Sequence, residues 1–194
     1  MAIALGPGDA LLAVDVQNDF LPGGTLAVAG GDAVVPALNR YFKLAQKRHL
    51  RVYASRDWHP REHCSFVAQG GPWPPHCVAG SPGAQFAPHL ALPADAIIAD
   101  KGVDPRHEAY SAFAGTELAA LLRDAGVRRL LVGGLATDYC VLNTVRDALA
   151  SGFGVFLLRD AIQAVNVNPE DGARAESEMR RLGARVVTVD DFAS

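Results

Sequence analysis

Short apolar runs alternate with segments of helical spacing along most of the chain. Ala10–Val16, Leu50–Ser55, Ala96–Asp100, Arg129–Val132, Val155–Leu158 and Arg185–Val189 each have the length and aliphatic content of a buried strand. Between them, residues 32–47 place Val35, Leu38, Phe42 and Ala45 on one helical stripe, and Thr116–Ala125 turns Leu118, Leu121 and Leu122 inward. Asp138–Ala150 puts Val141, Val145 and Ala148 on one side, and Pro169–Leu182 opens on a proline where a helix accepts one. The rhythm fails over residues 57–95, a stretch rich in Pro and Gly with Trp, His and Cys among them. A connection that long without elements of its own is unusual in a compact domain and is often functional.

Six apolar strands alternating with helices predict an α/β fold, a three-layer α/β/α sandwich around a six-stranded, mostly parallel sheet with right-handed crossovers. The length of 194 residues fits one domain over 1–194 with a large core, and no repeat or linker divides it. In such a sheet ligands bind beyond the carboxyl ends of the strands, so the polar residues just after each run are the candidates for chemistry.

Composition narrows the classes. Lys and Arg number 18 against 21 Asp and Glu, which leaves no basic excess for a nucleic-acid partner. Hydrophobic residues at 49% argue against disorder. Three cysteines cannot make a disulfide framework and fit a reducing compartment. No apolar run reaches the roughly 18 residues of a membrane span, and the first residues lack the basic start of a signal peptide. A cytoplasmic protein with no membrane partner is expected, and the charged fraction of 20% is compatible with a homo-oligomer.

Four consecutive strand ends carry reactive side chains: Asp15, then Asp57 and His59, then Lys101, then Cys140. Thr137 or Asp138 can cap the following helix, which sets Cys140 in its first turn, where the dipole favours a thiolate. The N–H groups of Ala136 and Cys140 then suit an oxyanion hole. Asp15 suits a base for the thiol proton, and Lys101 can hold both anions. Taken singly, Cys140 reads equally as a core thiol, and Asp15 with Lys101 as a buried ion pair. His107 stays open as a partner for a Cys–His dyad. Asp57 and His59 alternate by two on an extended segment, and His76 arrives from Trp73-Pro74-Pro75-His76-Cys77. Two imidazoles and a carboxylate suit Zn, Fe or Mn with positions left for water. The local alternative is that Asp57 caps a turn while His59 packs on Trp58. His63 and Ser65 are near enough to add a ligand or support one. Cys64 and Cys77 read as core thiols. Phe20, Trp73 and Tyr110 suit the walls of a flat pocket, or simple core packing.

These motifs resemble the nicotinamidase branch of the isochorismatase-like cysteine hydrolase family. The matching pieces are Asp15-Val16-Gln17-Asn18-Asp19-Phe20, Ser55-Arg56-Asp57-Trp58-His59-Pro60, Trp73-Pro74-Pro75-His76-Cys77, Lys101-Gly102, Tyr110-Ser111-Ala112-Phe113 and Gly133-Gly134-Leu135-Ala136-Thr137-Asp138-Tyr139-Cys140-Val141. They span residues 10 to about 190 in the family's order and spacing. The resemblance implies a catalytic set of Asp15, Lys101 and Cys140, and one divalent metal ion (Zn, Fe or Mn) on Asp57, His59 and His76. A further ligand would come from His63, Ser65 or water. It also implies a cis peptide at Leu135–Ala136 and substrate contacts from Phe20, Trp73, Tyr110 and Leu135. The activity it implies is hydrolysis of nicotinamide, with pyrazinamide as a second substrate, to the acid and ammonia through a cysteine thioester. A relative acting on N-carbamoyl compounds would share Asp15, Lys101 and Cys140. A non-enzymatic ligand-binding domain would not require them.

Overall fold

The computed structural model describes residues 2–193. Six strands, β1 (Asp9–Val14), β2 (Arg51–Asp57), β3 (Ile97–Lys101), β4 (Arg129–Leu135), β5 (Gly154–Gln163) and β6 (Arg185–Val187), form one sheet in the order β3-β2-β1-β4-β5-β6. Every neighbouring pair is parallel, so the sheet is wholly rather than mostly parallel. Four helices connect it: α1 (Val34–Lys47), α2 (Leu118–Asp124), α3 (Leu142–Ala150) and α4 (Asp171–Leu182). Strand alternation divides the core. In β1, Leu11 and Ala13 face the layer holding Leu38, Tyr41 and Phe42 of α1. Ala10, Leu12 and Val14 face the layer built by Leu118 and Leu122 of α2, Val145 of α3 and Met179 of α4. Both faces are covered, which is why all six residues of β1 are buried.

The chain lays down β1, β2 and β3 toward one edge, then returns to place β4 on the other side of β1. The order therefore reverses between β1 and β4, where an open α/β sheet leaves a crevice. Gly134 at the end of β4 has φ of +130°, and a Cβ there would run into the Val14 backbone. Only glycine lets the two strands approach so closely at this point.

Several boundaries differ from those the sequence predicts, each for a local reason. Asp15 and Val16 lie beyond β1 because Asp15 turns to a positive φ of 50°. The first helix begins at Val34, after a single 3-10 turn at Gly31–Ala33. Pro169 does not open α4, because Glu170 takes a left-handed conformation and Asp171 starts the helix. Its carboxylate accepts the Asn168 N–H at 2.7 Å. β5 runs on through charged Arg159 and Asp160, and its pairing jumps from Val132↔Leu157 to Gly134↔Ile162. The bulged segment turns Asp160 to Tyr41 and Arg40 of α1, at 2.5 and 2.8 Å.

The segment before α3 is a π turn, Thr137–Val141, in place of the start of an ordinary helix. The Ala136 carbonyl accepts both Tyr139 N–H at 3.1 Å and Val141 N–H at 3.0 Å, which widens the turn. Neither Thr137 nor Asp138 caps it. Asp138 instead accepts the N–H groups of Val165 and Asn166, each at 2.9 Å, and ties the turn to the chain after β5. The Leu135–Ala136 peptide is cis.

The long 57–95 stretch is stapled rather than structureless. His59 N–H donates to the Cys77 carbonyl at 3.0 Å, and Ala79 N–H to the His59 carbonyl at 2.8 Å. This short parallel bridge sets His76 beside His59. No helix among the described residues is long and apolar enough to cross a membrane.

Candidate active site and metal centre

Asp15, Asp57, Lys101 and Cys140 meet in the crevice between the β1 and β4 ends. Lys101 closes β3 and is fully buried. Its Nζ lies 2.5 Å from Asp57 Oδ1, 2.9 Å from the Ala109 carbonyl, 2.9 Å from Asp15 Oδ2 and 3.6 Å from Cys140 Sγ. An ammonium has three protons for these four neighbours. Asp15 Oδ2 is buried and held by the Lys101 ion pair at 2.9 Å. Asp15 Oδ1 accepts the Ser55 hydroxyl at 2.7 Å. A carboxylate oxygen beside a thiol, with its charge balanced by an ammonium, is an acceptor placed to take a proton.

The charge states follow from burial against pairing. Burial pushes the Asp15 carboxyl above its usual range, with Lys101 opposing. Burial likewise pushes the Cys140 thiol well up, and Lys101 only partly offsets this. In the metal-free chain desolvation thus favours the thiol form of Cys140 over the thiolate, with Lys101 opposing. Lys101 resists burial through its two carboxylate partners and stays charged. Asp57, though buried, is held well below the usual carboxylate range by Lys101 and His59.

The metal-ligand types converge on the other oxygen of Asp57. His59 Nε2 is 3.5 Å and His76 Nε2 4.0 Å from Asp57 Oδ2. The ligand atoms of all three lie within 4.8 Å of one another. Each ring commits Nδ1 to a backbone carbonyl, His59 to Gly102 at 3.0 Å and His76 to Pro74 at 2.8 Å. That fixes the tautomer which leaves Nε2 free to ligate. Burial disfavours a charge on both rings; at His59 the Asp57 carboxylate overcomes it and raises the pKa, while at His76 burial wins and lowers it. Two neutral-capable imidazoles and an ionised carboxylate in a half-open cradle fit a divalent cation. The other acid-rich group, Asp15, Asp57 and Cys140, already holds the Lys101 ammonium at its centre.

His63 does not point into this cradle. Its Nδ1 meets Ser65 Oγ at 2.7 Å and its Nε2 the His107 carbonyl at 3.1 Å, so both nitrogens are committed. It stacks on His59 with centroids 4.1 Å apart, and with Ser65 it braces that ring instead of adding a ligand. The His107 side chain is exposed and pairs with Asp104 at 2.9 Å, so no Cys–His dyad forms. Cys77 is a buried thiol, whereas Cys64 is only half-buried, on a turn whose N–H donates to the Pro105 carbonyl at 2.8 Å.

A cleft enclosing about 560 Å³, its open mouth included, lies over both groups. Phe20, Trp73, Tyr110 and Tyr139 line it together with Asp57, His59, His76, Ala136, Cys140 and the exposed Glu108. Trp73 Nε1–H donates to the Tyr110 hydroxyl at 2.9 Å, and both rings meet Tyr139, at 5.3 and 5.8 Å. Leu135 is not part of this wall. As the last residue of β4 it is fully buried in the layer shared with α1.

Three supporting residues were not singled out by sequence reasoning. Gln17 is fully buried; its amide donates to the Asp57 and Ala84 carbonyls at 2.8 and 2.9 Å and accepts the Asp57 N–H at 2.8 Å. Asp19 accepts the Cys77 N–H at 2.7 Å and so anchors the strand carrying His76. Gly102, at φ +64°, leaves no room for a Cβ against the His59 ring. The available signal was polarity: Gln17 and Asp19 closely follow the apolar run Ala10–Val14, where burial demands partners.

The chain matches the isochorismatase domain model over residues 9–191. It is 43% identical to the nicotinamidase of Escherichia coli K12, covering 96% of this chain and 97% of that protein. Among solved structures, the pyrazinamidase of Pyrococcus horikoshii in complex with zinc superposes with a TM-score of 0.90 at 48% identity, covering 94% of this chain and 99% of that one. The PnC1 protein of L. infantum in complex with nicotinate gives 0.90 at 37% identity, covering 100% and 99%.

Proposed function

The chain belongs to the isochorismatase domain family, and from that premise we propose that it is a metal-dependent amidase hydrolysing nicotinamide to nicotinate and ammonia. The observation that carries this reading is the pairing, within one aromatic-walled cleft, of a thiol beside the Lys101-paired Asp15 carboxylate with an Asp-His-His cradle. A flat heteroaromatic amide fits those walls, and the relatives named nicotinamidase and pyrazinamidase, with the nicotinate and zinc complexes, support the same substrate class. Pyrazinamide is the expected second substrate.

In this reading Asp57, His59 and His76 would hold one divalent cation, which would supply a Lewis acid to the bound substrate. The chemistry belongs to the chain's own residues. Asp15 Oδ2 takes the Cys140 proton as sulfur attacks the carboxamide carbon. Lys101 stabilises the anions on both sides of that transfer. The carboxamide oxygen gains charge opposite the N–H groups of Ala136 and Cys140. Asp15 returns the proton to the departing nitrogen, which leaves as ammonia. A water deprotonated by Asp15 then attacks the thioester carbonyl, releasing the carboxylate and restoring the thiol. Tyr110 and Trp73 hold each other at the wall, and Phe20, with its ring 5.8 Å from that of His76, closes the opposite side.

Ammonia release from nicotinamide, measured beside a panel of N-carbamoyl compounds, tests the assignment. Turnover of nicotinamide well above the panel supports it. Preference for a carbamoyl compound overturns it in favour of a carbamoylase on the same fold.

A further inference from the structure

The groups that must meet for proton transfer come from different parts of the chain. Asp15 and Lys101 stand at the ends of sheet strands, while the sulfur of Cys140 is carried by the π turn Thr137–Val141. Its distance from Lys101 Nζ, 3.6 Å, is therefore set by where that turn sits. The turn is poorly fixed from within. The residue before it is Ala136, whose methyl cannot cap it, and the Ala136 carbonyl is shared by two donors. Asn143 Nδ2–H donates to the Tyr139 carbonyl at 2.9 Å, but Asn143 belongs to α3 and moves with the turn.

Asp138 reaches a different part of the structure. Its Oδ1 accepts the Val165 N–H and its Oδ2 the Asn166 N–H, each at 2.9 Å. Bonds to an ionised acceptor are stronger than neutral ones, and each oxygen has its own donor. The segment that supplies these donors is itself anchored. It leaves β5 at Gln163, whose Nε2–H donates to the Ala29 carbonyl at 3.0 Å. Asn166 takes a positive φ of 54°, and its Oδ1 accepts the Gly172 N–H of α4 at 2.8 Å. Val165 lines the same cleft as Cys140. Asp138 thus fastens the nucleophile turn, two residues before the sulfur, to a strut held by the sheet, by Ala29 and by α4.

We propose that Asp138 is a positioning residue for the reaction: clamped to the Val165 and Asn166 N–H groups, it holds the π turn where the Cys140 sulfur meets Asp15 and Lys101. The inference rests on the amidase reading and deepens it. Asp138 acts through the turn and touches no reacting atom. Its contribution is orientation, and a misplacement of about 1 Å in such a group costs about 100-fold in rate.

The test compares the metal-loaded parent with Asp138→Asn and Asp138→Ala, each assayed well below its own Tm and per metal-loaded molecule. Asn is nearly isosteric and keeps one acceptor oxygen, whereas Ala keeps none. The expected result is a fall in nicotinamide kcat of about 100-fold for Ala and a smaller fall for Asn, with KM changed far less and metal content full. Crystal structures of the parent and Asp138→Asn, superposed on the sheet, should show Cys140 Sγ displaced from Lys101 Nζ in the variant. An unchanged kcat overturns the proposal. So does a rise in KM with kcat kept, so does loss of metal, and so does a sulfur that stays in place. If the parent releases no ammonia from nicotinamide, the amidase reading fails by itself; the position of the sulfur still decides whether Asp138 holds the turn.

Discussion

Asp57 and Lys101 share one short contact, Oδ1 to Nζ at 2.5 Å, and through it the two halves of the site become one structure. The same carboxylate turns its other oxygen toward Nε2 of His59 and His76. The same ammonium reaches Asp15 and Cys140. The residue that would ligate the cation therefore also sets the charge balance around the thiol.

This linkage makes Lys101 costly to lose. Lys101→Met leaves two buried carboxylates without their counter-charge, a change of about 3–5 kcal/mol for a broken buried pair. The expected outcome is a large fall in Tm together with loss of turnover. Adding Asp15→Asn to that variant removes one of the stranded charges and should recover part of the lost stability; a double variant no more stable than the single one contradicts the charge argument.

Burial raises the Asp15 pKa against Lys101, and Ser55 adds a smaller opposing pull. Its hydroxyl donates to Oδ1 and favours the ionised carboxylate, while burial disfavours it more strongly and leaves the pKa raised. The base must be ionised to accept the thiol proton, so kcat/KM rises with pH through the Asp15 pKa. Ser55→Ala removes the hydroxyl that donates to Oδ1 and moves that acid limb to higher pH. A limb that stays in place or moves down in a pH-rate profile is the contrary result.

Gly102 guards the orientation of His59. Its carbonyl accepts the His59 Nδ1–H at 3.0 Å, and its missing side chain leaves space for the ring. Gly102→Ala strains a positive φ and displaces the imidazole. Metal affinity should fall by about 10–100-fold, the usual size for disturbing a residue that orients a ligand. Titration of the metal-free protein with Zn or Mn reads this directly, and an unchanged affinity contradicts it.

The strands and helices were legible because both sheet faces are covered, so each strand is an apolar run, and because the amphipathic stripe of α1 is regular. The crevice was legible for the same reason: Asp15, Asp57, Lys101 and Cys140 interrupt apolar runs at their carboxyl ends. What periodicity does not carry is how backbone groups are shared. The π turn before α3 arises because the Ala136 carbonyl takes two donors, and local spacing around Cys140 is the same for an ordinary helix. The apolar run ends at Leu158, yet β5 continues through Arg159 and Asp160, where a bulge turns the Asp to α1. Asp138 looked like a cap because Asp caps helices, yet its partners, Val165 and Asn166, are 27 and 28 residues away. The push of Cys140 toward its thiol form comes from burial, which no motif states.

The central claim is tested most directly by ammonia release from nicotinamide by metal-loaded parent and Cys140→Ala proteins, with bound metal quantified in each. The account predicts turnover in the parent that is abolished on chelation and restored by Zn, Fe or Mn. It predicts none in Cys140→Ala, although that variant keeps its full metal content, because Asp57, His59 and His76 do not involve the sulfur. Sustained hydrolysis by the metal-loaded Cys140→Ala protein would contradict it.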